Sequence, residues 1–89
     1  MGRPWEADPS AGFVRRLGKS PAELGLTSES ETCPDIWELS NGDLAVIGRD
    51  VTEKVSDRLP EGVSIGPDER LVIIPRSLAA AAKTDMPDA

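Results

Sequence analysis

The chain has no histidine, no tyrosine, one phenylalanine and a single cysteine among its 89 residues. Without histidine, serine-histidine triads, cysteine-histidine pairs and the common zinc sites cannot be assembled. The lone Cys33 cannot close a disulfide within the chain. Glu29, Glu31 and Asp35 lie close to it in sequence, and their charge disfavours the thiolate that a redox or nucleophilic role requires. Long hydrophobic runs are missing too. The most apolar stretches, Leu71–Ile74 and Leu78–Ala82, fall far short of the roughly 20 residues that span a bilayer. The amino-terminal Met1-Gly2-Arg3-Pro4-Trp5-Glu6 lacks the apolar centre of a secretory signal, so a cytoplasmic location is expected.

What is present bounds the rest. A chain this short builds one domain. Aromatic residues make up 3% of it and hydrophobic residues 38%, so the core is drawn from Leu, Ile, Val and Ala and is thin. The net charge is −6, and it is uneven. Residues 1–33 hold four bases against five acids, and residues 34–89 hold six against eleven. An acidic field repels a phosphate backbone, which makes nucleic acid a poor expectation as partner.

The first third is broken by Pro4, Pro9, Gly12, Gly18, Pro21 and Gly25, and reads as an N-terminal arm over residues 1–33 with short helical pieces. Phe13, Val14 and Leu17 would form the apolar side of a helical turn or two ending near Gly18. Ser20-Pro21-Ala22-Glu23 has the form of a helix start, with Ser20 as N-cap and Glu23 completing a capping box. Residues 27–32 read as a polar linker.

A compact α+β domain is expected over residues 34–84, followed by a frayed tail at 85–89. Asp35–Leu39 and Leu44–Gly48 flank an Asn41-Gly42 pair suited to a two-residue type I′ hairpin, which would pair Leu39 with Leu44 and Trp37 with Val46. Val51, Val55 and Leu59 recur every four residues as one stripe of a short helix begun by an Asp50–Glu53 capping pattern and ended by Pro60 and Gly62. Arg70–Ile74 is a third strand, and Pro75 leads into a last helix through Leu78–Lys83. The expected arrangement is ββαβα, with a three-stranded sheet of order 2-1-3 in which the strand at 70–74 lies antiparallel beside Asp35–Leu39. A parallel position beside the second strand is the alternative.

Both faces of such a sheet are apolar, and one crossover helix covers only one of them. The second face needs a cover from the last helix, from the arm, from a second copy of the chain or from another protein. The arm adds aromatic and arginine residues of the kind enriched in interface hot spots. The candidate partner-binding residues are therefore Trp5, Phe13, Arg15, Arg16, Trp37, Val46, Ile47 and Ile73. The acid pairs Asp35 and Glu38, Asp50 and Glu53, and Asp68 and Glu69 have cheaper readings as caps, turns and strand positions than as catalytic or cation sites, and no calcium-loop or phosphate-loop spacing occurs. No catalytic residue, cofactor, metal or small-molecule ligand is inferred. The expected function is a non-enzymatic protein-protein interaction or regulatory role, with another protein or a second copy as partner; a small enzyme or redox protein using Cys33 is the weaker alternative.

Two short pieces carry a resemblance. Ile73-Ile74-Pro75-Arg76-Ser77-Leu78 resembles the strand-proline-basic turn of AbrB-type swapped-hairpin transcription factors, and Asn41-Gly42-Asp43-Leu44-Ala45-Val46 resembles their hairpin, in the opposite chain order. The resemblance implies a dimeric DNA binder with Arg49 and Arg76 as phosphate contacts.

Overall fold

The computed structural model describes residues 4–25 and 34–86. Among them the chain folds as an α+β protein with a three-stranded antiparallel sheet, a separate two-stranded ladder and two helices. The hairpin forms as β2 (Asp35–Leu39) and β3 (Leu44–Ile47), but one residue out of the expected register. Trp37 opposes Ala45, and Ile36 opposes Val46. The turn explains the shift. A type I′ turn needs positive φ at both central residues, yet Gly42 (φ 90°) alone adopts it here and Asn41 does not. The Gly42 N–H donates to the Leu39 carbonyl (3.0 Å) and the Leu39 N–H to the Asp43 carbonyl (2.9 Å), closing a three-residue loop with a glycine bulge. Asn41 Oδ1 accepts the Asp43 N–H instead of helping a mirror-image turn (3.0 Å). A slip of one residue exchanges the faces of one strand relative to the other.

The third strand is not residues 70–74. It is β1 (Phe13–Arg16), antiparallel to β2, so the sheet order is β1-β2-β3. The expected helical turn at Phe13–Leu17 fails for two reasons. Gly12 and Gly18 confine it to five residues, too few to sustain a helix alone, and the open edge of β2 offers ladder partners to a β-branched, aromatic segment. A bulge leaves Val14 as the extra residue, so that Arg15 meets Glu38 and Arg16 meets Trp37. Leu17 then sits opposite Ile36, and its N–H donates to the Ile36 carbonyl (2.9 Å). Without the extra residue, Arg16 would occupy that core position.

Leu17, Ile36, Leu78 and Ala82 form the buried core, with Leu24 and Ile74 packed against it. Leu78 and Ala82 belong to α2 (Arg76–Lys83), which lies on the Ile36 side of the sheet. Pro75 precedes it in extended backbone, a proline-compatible entry to a helix. Gly18 fits against this helix closely: a Cβ there would come within 2.7 Å of the Ala82 nitrogen, and φ is 79°. The Gly18 N–H also donates to Asp85 Oδ2 (2.7 Å), and Arg15 donates to the Asp85 carbonyl (2.7 Å). Asp85, expected in a frayed tail, thus ties the end of α2 to the edge strand.

Around Ser20 the capping box forms, with Ser20 N–H donating to Glu23 Oε1 (3.0 Å) and Glu23 N–H to Ser20 Oγ (3.2 Å), but only a turn follows. The helix expected through Val51, Val55 and Leu59 is a single turn, α1 (Thr52–Val55). Pro60 cannot donate to the Ser56 carbonyl and pushes Leu59 out of helical backbone, so the stripe cannot propagate. The strand expected at 70–74 shortens to β5 (Val72–Ile73) and pairs antiparallel with β4 (Arg49–Asp50), the continuation of β3 beyond Gly48. The outer edge of β2 is already occupied by β1, which leaves β4 as its partner. Residues 27–32 and Cys33 lie outside the described residues.

Candidate interaction surface

The side of the sheet away from α2 is set by the register. Phe13, Arg16, Asp35, Trp37, Leu39, Ala45 and Ile47 share it, because paired residues point to the same face. The Phe13 and Trp37 rings lie 5.8 Å apart at 37°. The guanidinium of Arg16 sits over the Trp37 ring at 5.0 Å, within cation-π range. Its other edge grips Asp35 in a fork, with Nε to Oδ1 at 3.0 Å and Nη2 to Oδ2 at 2.9 Å. This charge-assisted pairing raises the Arg16 pKa above its usual value. Arg16 is thereby held over the tryptophan ring by its bonds to Asp35. Phe13 remains 63% exposed and Ile47 49% exposed.

The other candidates scatter. Arg15 lies on the helix-covered face, paired with Glu38 (2.8 Å). Val46 is on that face too, at an exposed edge position. Trp5 is exposed beside the hairpin turn, where its indole N–H donates to Asp43 Oδ2 (3.1 Å). Ile73 belongs to the β4–β5 ladder, opposite Arg49. Of the eight, Phe13, Arg16, Trp37 and Ile47 form one surface. The role of Asp35 in that surface had no sequence signal, since its partner is nineteen residues away and depends on the bulge at Val14.

The acid pairs do not converge. Asp35 and Glu38 point to opposite faces, Asp50 accepts the Thr52 N–H (3.0 Å) and hydroxyl (2.7 Å), and Glu69 accepts the Gly66 N–H (2.7 Å). Among the described residues no group of three or more His, Cys, Asp or Glu is placed to hold a metal, and no helix is long and apolar enough to cross a membrane. A cleft of about 580 Å³ lies between α1 and the following loop, lined by Thr52, Asp57, Leu59, Val63, Glu69 and Arg70 among others. Three of its polar side chains are engaged locally: Arg70 with Asp50 (2.9 Å), Thr52 with Asp50 and the Leu71 backbone, Glu69 with Gly66. The two pieces that resemble swapped-hairpin factors fall in different ladders, with Arg49 on β4 and Arg76 opening α2. Comparison with protein-family models, curated proteins and solved structures finds no match to the chain.

Proposed function

We propose that this is a non-enzymatic interaction protein that engages another protein through the Phe13, Trp37 and Ile47 face of its sheet. The supporting observation is that α2 lies on one face only, while the opposite face keeps Phe13 and Ile47 largely exposed around a tryptophan held in place by Arg16. Aromatic and arginine side chains already fixed in position lose little conformational freedom on binding, which is the character of a hot spot. The acidic net charge favours a partner with an apolar centre and a basic rim.

Cross-linking followed by mass spectrometry identifies the partner, and affinity is then measured between purified proteins. Phe13→Ser is expected to weaken binding at least about tenfold, the cost of losing one exposed aromatic anchor, with an unchanged circular dichroism spectrum. Binding that survives this change, or salt-dependent binding to duplex DNA in place of protein, would overturn the reading.

A further inference from the structure

We infer that the open edge of β3 joins two copies of this chain into an antiparallel, two-fold dimer centred on Val46. In the three-stranded sheet β3 has one neighbour, β2, and so presents a free edge among the described residues. The backbone hydrogen bonds establish which of its backbone groups face outward. Leu39 bonds to Asp43 across the hairpin, while the Ile36 carbonyl accepts from Leu17 on the opposite side and Ser40 N–H donates to Gly12 (2.8 Å). Bonding alternates along an antiparallel pair, so Trp37 with Ala45 and Asp35 with Ile47 are the bonded positions of β2 and β3. The N–H and C=O groups of Leu44 and Val46 therefore point away from the sheet.

Natural edges are guarded by charge, proline or a bulge. β3, Leu44-Ala45-Val46-Ile47, has none of these, and Leu44, Val46 and Ile47 are 40%, 45% and 49% exposed. An unguarded edge of this kind is a template for another strand, and the sequence selects the second copy. With Leu44 and Val46 as the outward-bonding residues, two antiparallel β3 strands can align only so that the paired residue numbers sum to an even value. The alignment that sets Val46 opposite itself also sets Asp43 opposite Arg49 of the other copy, twice by symmetry. A shift of two in one direction places Asp43 against Ile47, and in the other Asp50 against Leu44. Only the central alignment matches opposite charges. Both groups are available: Arg49 is exposed and makes no ion pair among the described residues, and Asp43 uses one oxygen for Trp5 and Asn41.

This inference does not rest on the proposed partner face: Ile47 of that face lies on β3, but the alignment is argued from Asp43, Val46 and Arg49, and Phe13 lies two strands away on β1. Sedimentation equilibrium on the intact chain is expected to give twice the 9.5 kDa chain mass. Arg49→Glu should weaken the dimer roughly tenfold by setting like charges opposite each other at two symmetric positions, and Asp43→Lys added to it should restore association. Val46→Pro removes an outward donor that β2 does not use, and should leave a folded monomer. The same measurement on Phe13→Ser should still show the dimer, which separates failure of this inference from failure of the partner reading. A single-chain mass up to millimolar concentration, or a dimer indifferent to both Arg49→Glu and Val46→Pro, would overturn it.

Discussion

The molecule holds its two halves together by different physics. On one side, β1, β2 and α2 bury Leu17, Ile36, Leu78 and Ala82, and Pro21 is enclosed nearby. On the other, from Arg49 through Ser77, no residue is buried. That half is organised instead by polar bonds: Asp50 with Thr52 and Arg70, the Thr52 hydroxyl accepting the Leu71 N–H (2.7 Å), and Val51 N–H donating to the Leu71 carbonyl (3.0 Å). Apolar burial yields a cooperative, pH-indifferent contribution, whereas exposed hydrogen bonds open locally at low cost. The proposed partner face and the proposed dimer edge both belong to the sheet that the buried half stabilises, which would give a binding surface a rigid base.

The largest test of this contrast is Leu78→Ala. Removing a fully buried leucine costs about 2–5 kcal/mol, comparable to the roughly 3–5 kcal/mol a core of this size supplies. The variant should be mostly unfolded at 25 °C by circular dichroism. Val63→Ala, at a half-exposed position in the other half, should fall within about 0.5 kcal/mol of the parent chain. Equal losses would show that Val63 supports a core of its own.

Two glycines sharpen the comparison at smaller magnitude. Gly18 and Gly62 both have positive φ, 79° and 84°. Alanine at either must adopt left-handed backbone, at about 1–2 kcal/mol. At Gly62 nothing lies within 4 Å of the new Cβ, but at Gly18 it meets the Ala81 carbonyl carbon at 2.8 Å and the Ala82 nitrogen at 2.7 Å. Helix backbone cannot yield as a side chain can. Urea titrations should therefore place the midpoint of Gly18→Ala below that of Gly62→Ala with unchanged slopes. Coincident midpoints would mean that α2 is free to shift.

What is legible in the sequence divides between local causes and distant ones. The hairpin residues, the Pro75 entry to α2, and the capping box at Ser20 and Glu23 are local patterns, legible because cause and effect lie within a few residues. The register is not legible there because it turns on whether Asn41 enters left-handed backbone, and the Asn41 side chain serves the Asp43 N–H in the ordinary conformation. The strand at Phe13 has the local pattern of a helical turn, because the ladder partners that make it a strand lie more than twenty residues downstream. The grouping of Phe13, Trp37 and Ile47 on one face then followed from both long-range choices, whereas their separate candidacy rested on residue type alone.

The smallest effect concerns acid, and its sign follows from Asp50. The Thr52 N–H and hydroxyl, with the Arg70 guanidinium, lower its pKa from an ordinary 3.8 to about 2. A carboxyl whose pKa is depressed in the folded state adds stability above its ordinary pKa and loses it as pH falls toward the folded value, because the opened form binds the proton more tightly. The window is therefore about pH 4 down to about pH 2. Glu23, also lowered by its bonds to Ser20, lies in the other half, so global stability alone cannot separate the two. Amide hydrogen exchange can. Corrected for intrinsic rates, exchange at Val51 and Leu71 should accelerate through that window relative to Leu17 and Ile36, and Asp50→Asn should flatten the pH dependence of the ratio. If all four amides keep step at every pH, the β4–β5 ladder opens only when the sheet does, and the polar half is part of the same cooperative unit as the core.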